Sequence, residues 1–131
     1  MAEHNRVGKI GEDVACKYLR GYKFLIMDRN YRKKWGEIDI IVWDKKEKIL
    51  HFVEVKSVSC ENLYNVSRET EKIGPEEKVD NRKKSRMKRA IQTYITEKKL
   101  QDFYWQVDIL VVFLNLNSKK AKIRSFENVI I

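Results

Sequence analysis

Three residues carry charge where a β-sheet is normally apolar: Asp39, Glu54 and Lys56. They fall in two hydrophobic runs, G-E-I-D-I-I-V-W and I-L-H-F-V-E-V-K, joined by the polar turn D-K-K-E-K. Two carboxylates a short distance apart bind a hard cation such as Mg²⁺, with a backbone carbonyl and waters completing the octahedron. Val55 is placed to give that carbonyl, because its side chain points away from Glu54 and Lys56. A cation held there acidifies a bound water and offsets negative charge developing on a phosphate. Lys56, one strand step from Glu54, can orient the attacking water and add positive charge to the transition state. The same residues also suit a structural ion pair, with Glu54 and Lys56 on one strand face and Asp39 across the hairpin. Spacing alone leaves both readings open.

The elements that must position these groups follow from periodicity. Alternation sets Asp39 with Ile41 and Trp43 on one face of the first hairpin strand, and Ile38, Ile40 and Val42 on the other. In the second, Glu54 and Lys56 share a face with Leu50 and Phe52, opposite Val53 and Val55. A strand apolar on both faces is central and buried, and burying an unpaired charge there is costly.

Upstream, Asn5 to Arg20 reads as a helix stopped by Gly21, with Val7, Ile10, Val14 and Tyr18 as its apolar stripe and Glu12 on an adjoining face. Gly8 and Gly11 weaken this helix unless its start must come close to another backbone or a phosphate. Lys23 to Arg32 reads as a strand ending in the basic cluster Arg29, Arg32, Lys33 and Lys34.

Downstream, residues 57–78 are polar, contain the only proline, Pro75, and read as a long loop beside the site. Val79 to Leu100 reads as a second helix with an apolar stripe of Met87, Ile91, Tyr94 and Ile95. Its start carries Arg82, Lys83, Lys84, Arg86, Lys88 and Arg89, whose mutual repulsion a phosphate backbone would relieve. Asp102 to Leu116 is a strand apolar on both faces, whose Asp108 is expected to pair with a basic residue of the second helix. Lys119 to Phe126 is a short last strand. The order of helix, three strands, helix and two strands predicts a single α/β domain with a mixed central sheet flanked by helices.

Composition sets the outer bounds. A chain of 131 residues builds one core, and 43% hydrophobic content excludes a disordered chain. A formal charge of +9 points to a polyanion, nucleic acid first and an anionic membrane surface second. Cys16 and Cys60 form neither a metal-ligand nor a disulfide framework, and Cys16 is expected to be a small core residue. No apolar run reaches membrane-spanning length and the start has no signal-like apolar region, so a cytoplasmic protein is the default expectation.

G-E-I-D-I-I followed by F-V-E-V-K resembles the signature of the restriction-endonuclease-like superfamily: Asp, a variable gap, then Asp/Glu-x-Lys. More narrowly, the chain resembles the YraN-like family of bacterial proteins, relatives of archaeal Holliday-junction resolvases. The likeness extends to G-K-I-G-E-D-V-A-C-K-Y-L near the start, to Asn30-Tyr31-Arg32, to the basic helix from Lys83 to Tyr94, and to Val107-Asp108. It implies a restriction-endonuclease-like core and a Mg²⁺- or Mn²⁺-dependent endonuclease acting on DNA, including branched DNA. It also implies that Glu12 adds a further acid to the metal site; the alternative is a first-turn glutamate favoured by the helix dipole. Junction resolution would need two symmetric sites and hence a homodimer, for which Trp35 or Trp105 could serve as interface aromatics, core burial being the equal alternative. The chain has Val58 where the family usually has an arginine, so that phosphate contact is missing unless another base such as Arg68 supplies it. A nucleic-acid-binding module that keeps the fold without cutting is the competing reading.

Overall fold

The computed structural model describes residues 3–61, 63 and 81–131. Most of the 57–78 segment, with Arg68 and Pro75, lies outside the described residues, as do the first two positions of the 79–100 helix. Helix α1 (Glu3–Gly21) precedes strands β1 (Leu25–Lys33), β2 (Gly36–Asp44) and β3 (Ile49–Ser59). Helix α2 (Asn81–Lys98) then leads to β4 (Tyr104–Asn115) and β5 (Lys120–Phe126). The strands form one mixed sheet in sequence order, antiparallel except for the parallel pair β3 and β4 that α2 connects. This is the predicted α/β architecture, in the order of a restriction-endonuclease-like core. Among the described residues no helix is long and apolar enough to cross a membrane.

Each face of the sheet is covered by one helix. Ala15, Cys16 and Leu19 of α1 pack on Ile40, Val42, Val53, Leu110 and Val112. Of the predicted stripe, Val7 is buried in this cluster and Ile10, Val14 and Tyr18 are partly buried at its rim, while Cys16 is the small core residue expected. On the other face Met87, Ala90, Ile91, Tyr94 and Ile95 of α2 pack on Ile38, Ile41, Leu50 and Phe52. Burial of aromatic and branched side chains on both sides accounts for the stability of β3 and β4 as interior strands.

Several boundaries differ from the sequence reading for local reasons. Helix α1 runs through Gly21, and the left-handed residue that ends the turn is Lys23 (φ 69°), not the glycine. Its closing bonds run from the N–H groups of Tyr22 and Phe24 to Leu19 O and from Lys23 N–H to Arg20 O. The β2–β3 turn is as expected: Asp44 Oδ1 accepts the Lys46 and Glu47 N–H groups, and Lys48 takes the left-handed position. Strand β3 continues through Ser57 and Val58 to Ser59 instead of yielding to a loop after Lys56, because β4 pairs with it along its whole length.

The alternation of β2 also breaks. Ile38 packs on the α2 side with Ile41, whereas Ile40 and Val42 face α1. The reason lies at Asp39 and at Asn30 across the ladder, where the pairs Arg29↔Ile40 and Tyr31↔Ile38 bracket a left-handed Asn30 (φ 51°). Asn tolerates that conformation better than most residues. The rotation sends Tyr31 with Ile38 towards α2 and leaves Asp39 at the point where the faces exchange.

Candidate active site

The site forms where β2 leaves β3. Their backbone ladder runs from Asp44↔Ile49 to Ile40↔Val53 and goes no further. Beyond it, the Val55 N–H is satisfied by a side chain: it donates to Asp39 Oδ2 at 2.8 Å. A buried backbone donor needs such a partner, so the fork in the sheet is held open by the carboxylate itself. Each strand residue directs its N–H and C=O to the same side, so the Val55 carbonyl also faces this fork.

Glu54 is buried on the α2 side, with 5% of its surface exposed. Its Oε1 accepts an ion pair from Lys83 of α2, and Lys56 Nζ lies 3.5 Å from the same oxygen. Burial and the Glu54 charge, relieved only in part by the Val55 N–H, push the Asp39 carboxyl up to about 7. Glu12 and Glu37 act on Asp39 in the same direction, and burial raises Glu12 in turn. Lys56 is lowered, first by burial and then by the neighbouring Lys83. Lys83 is also penalised by burial, yet its ion pair with Glu54 leaves it raised overall. Of the two amines, Lys83 therefore holds its charge more firmly.

Two openings reach these groups from opposite faces. A groove of about 450 Å³ on the α2 side is lined by Glu54, Lys83, Arg82, Arg86, Glu37 and Met87. A second opening, of about 290 Å³, lies on the α1 side and is lined by Gly8, Glu12, Asn30, Arg32, Asp39, Val55 and Ser57, again with Glu37. Helix α1 reaches this position because Gly11 lies on Ser57: a Cβ there would fall 1.8 Å from the serine Oγ. Gly11 thus allows a close approach, to the Ser57 side chain rather than to the backbone or phosphate expected, while Gly8 has open space around it.

The residues present suit a hard cation. Asp39 and Glu54 repel each other in a partly desolvated fork, and Mg²⁺ is commonly bound by one or two carboxylates with waters filling the remaining positions. Among the described residues no three His, Cys, Asp or Glu side chains converge as a metal-holding group. Glu12 is thus beside the pair, lining the same opening as Asp39, without closing a three-acid cluster.

A model of the uncharacterised protein family UPF0102 matches residues 11–112. The chain belongs to this family. A UPF0102 protein of Campylobacter lari is 37% identical over 91% of this chain and 88% of its own length. One from Desulforamulus reducens is 32% identical over 96% of each chain, and one from Clostridium botulinum is 32% identical over 93% and 91% respectively. The family membership agrees with the YraN-like resemblance, and the matched span includes all four of Glu12, Asp39, Glu54 and Lys56.

The basic residues read from the sequence have different partners. Arg82, Lys83 and Arg86 line the Glu54 groove, whereas Arg89 lies over the Trp35 ring at 4.7 Å and Lys84 is half-buried. Six charges over two helical turns necessarily point in several directions. Arg29 pairs with Asp13 of α1 (2.8 Å), Arg32 with Glu37 (3.3 Å) and Lys33 with Glu97 (2.9 Å); Lys34 is exposed. Trp35 is half-buried, with its indole nitrogen buried and Arg89 over its ring, while Trp105 is exposed. Two participants have no site role in the sequence pattern. Lys83 reads there only as a phosphate contact, and no spacing rule brings it to Glu54. Asn30 faces the Asp39 opening, and its one signal is the N-Y-R motif.

Asp108 is structural, as expected, but its partner is not on α2. Val53↔Asp108 pairing turns it to the α1 face, away from α2. There Oδ2 lies 2.6 Å from His51 Nδ1, and Oδ1 accepts Gln106 Nε2 and the Asn128 N–H.

Proposed function

We propose that this protein is a divalent-metal-dependent DNA endonuclease that hydrolyses phosphodiester bonds, with branched or otherwise structured DNA as its substrate class. The observation that carries the reading is the fork at Asp39. In a sheet that is otherwise apolar, Asp39 feels the charge of Glu54, accepts the Val55 N–H and opens to solvent on the α1 side, while Glu54, with Lys56 beside it, opens on the α2 side. Such repulsion costs the fold stability, and a divalent cation between the two acids would relieve it. Asp39, Glu54 and the Val55 carbonyl would hold Mg²⁺ or Mn²⁺, with Glu12 supporting a ligand water from α1. The ion, when bound, supplies an acidified water and charge compensation for the phosphate. Lys56 orients that water and adds positive charge to the transition state. Arg82 and Arg86 on one side and Arg32 on the other hold flanking phosphates, a salt-dependent contact that positions DNA without reading its sequence. Resolution of a junction would further require a second copy of the chain.

A binding module that does not cut is favoured by one observation: Glu54 is already neutralised by Lys83 and Lys56. Cleavage of labelled four-way junction, flap, duplex and single-stranded DNA with Mg²⁺, Mn²⁺ or chelator separates the two. The nuclease reading expects metal-dependent cutting that falls at least about a hundredfold in Lys56→Ala, the scale of losing one charge-stabilising group. Metal-independent binding with no cutting of any substrate would leave the binding module as the function.

A further inference from the structure

Unlike Arg82, Arg86 and Arg89 on the same helix, Lys83 sets its charged group directly on a candidate metal ligand. It reaches Glu54 Oε1 from α2, across the groove, the same oxygen that Lys56 Nζ approaches from β3. Two ammonium groups then share one buried carboxylate, whose side chain is 7% exposed. A divalent cation on Glu54 would face both, and like charges that close in a partly desolvated site repel strongly. One of them must leave. Lys56 is tied to the strand that carries Glu54 and its side chain is 26% exposed. Lys83 is 40% exposed, on a helix, at the end of a flexible four-carbon stem. It can withdraw into the groove while Glu54 cannot follow. The groove already presents Arg82 and Arg86, so a released ammonium joins two guanidinium groups at the place where a phosphate would lie.

We infer that Lys83 is a placeholder cation: it occupies Glu54 in the metal-free protein, is displaced when a divalent ion binds, and then contacts a substrate phosphate. The inference rests on the metal-dependent reading of the site. Its consequence is a positive coupling between metal and DNA, since each favours the state in which Lys83 has left Glu54. The metal-free protein is spared the cost of an unpaired buried carboxylate, and DNA is held most tightly only when the site is loaded.

The test is calorimetric titration of Mn²⁺ into wild type, Lys83→Met and Lys120→Met, the last removing an equal charge from the distant edge strand β5. Lys83→Met should bind Mn²⁺ at least about fivefold more tightly than wild type, the lower end of ordinary site-to-site coupling, with Lys120→Met unchanged. In a second arm, with chelator, Glu54→Gln should bind a labelled four-way junction about fivefold more tightly than wild type, and adding Lys83→Met should abolish the gain. Equal Mn²⁺ affinity in wild type and Lys83→Met, or equal tightening by Lys120→Met, overturns the placeholder role and leaves the metal site standing. An unchanged DNA affinity in Glu54→Gln overturns the transfer of Lys83 to phosphate. If no variant takes up Mn²⁺, the metal-dependent reading fails and takes this inference with it.

Discussion

Asp108 and Asp39 are both acids on interior strands of one sheet, yet their surroundings are opposite. Asp108 has its oxygens engaged by His51, Gln106 and the Asn128 backbone, and Asn128 and Val129 thereby tie the C-terminal segment to β4. Among the described residues, Asp39 accepts one hydrogen bond, from the Val55 N–H, and faces the charges of Glu54, Glu12 and Glu37. The first arrangement completes a network inside the fold. The second keeps an electrostatic tension that something outside the chain can resolve. A buried acid is therefore poor evidence for a site until its partners are counted, and the count separates these two cleanly.

The contrast is lost most visibly if the structural pair is removed. His51→Ala leaves Asp108 buried without its nearest partner and should destabilise the protein by about 3–5 kcal/mol in urea unfolding, with little effect on Mn²⁺ affinity. A loss below about 1 kcal/mol would mean that the Asp108 network is no stronger than a surface contact.

Asp39→Asn should behave in the reverse sense. The Asp39 carboxyl titrates near 7 in the folded protein against an ordinary value near 3.8, so the folded state holds a proton that the unfolded chain releases. Its contribution is fully present below about pH 4, declines as pH rises, and is lost above about pH 7. With chelator, the Asn variant should match wild type at about pH 4 and exceed it by about 2–4 kcal/mol at about pH 8. Mg²⁺ should narrow the difference by stabilising wild type alone. An Asn variant less stable than wild type at about pH 8 would place Asp39 with Asp108 as a structural acid.

The smallest effect concerns the role of α1. Gly11→Ala drives a methyl into Ser57 and should cost about 1–3 kcal/mol, while Ser57→Gly in the same chain should restore most of the loss. If cleavage falls further than stability does, the approach of α1, with Glu12, serves the Asp39 opening. An equal fall in both would assign it to packing.

Residue order alone is enough for the succession of elements, the apolar faces of β3 and β4, and the buried residues Met87, Ile91, Tyr94 and Ile95 of α2. These follow from periods of two and about 3.6 residues, which are local properties of the chain. Asp39, Glu54 and Lys56 stand out in the same way, because charge within an apolar strand is visible without coordinates. Three-dimensional packing was needed to show that the β2–β3 ladder stops at Ile40↔Val53, that Ile38 turns from its expected face, and that Asp108 meets His51. Nor could any local pattern set Lys83 on Glu54, with a long aperiodic stretch of sequence between them. Those outcomes depend on register and on which helix covers which face, and both are settled by packing between residues far apart in the chain.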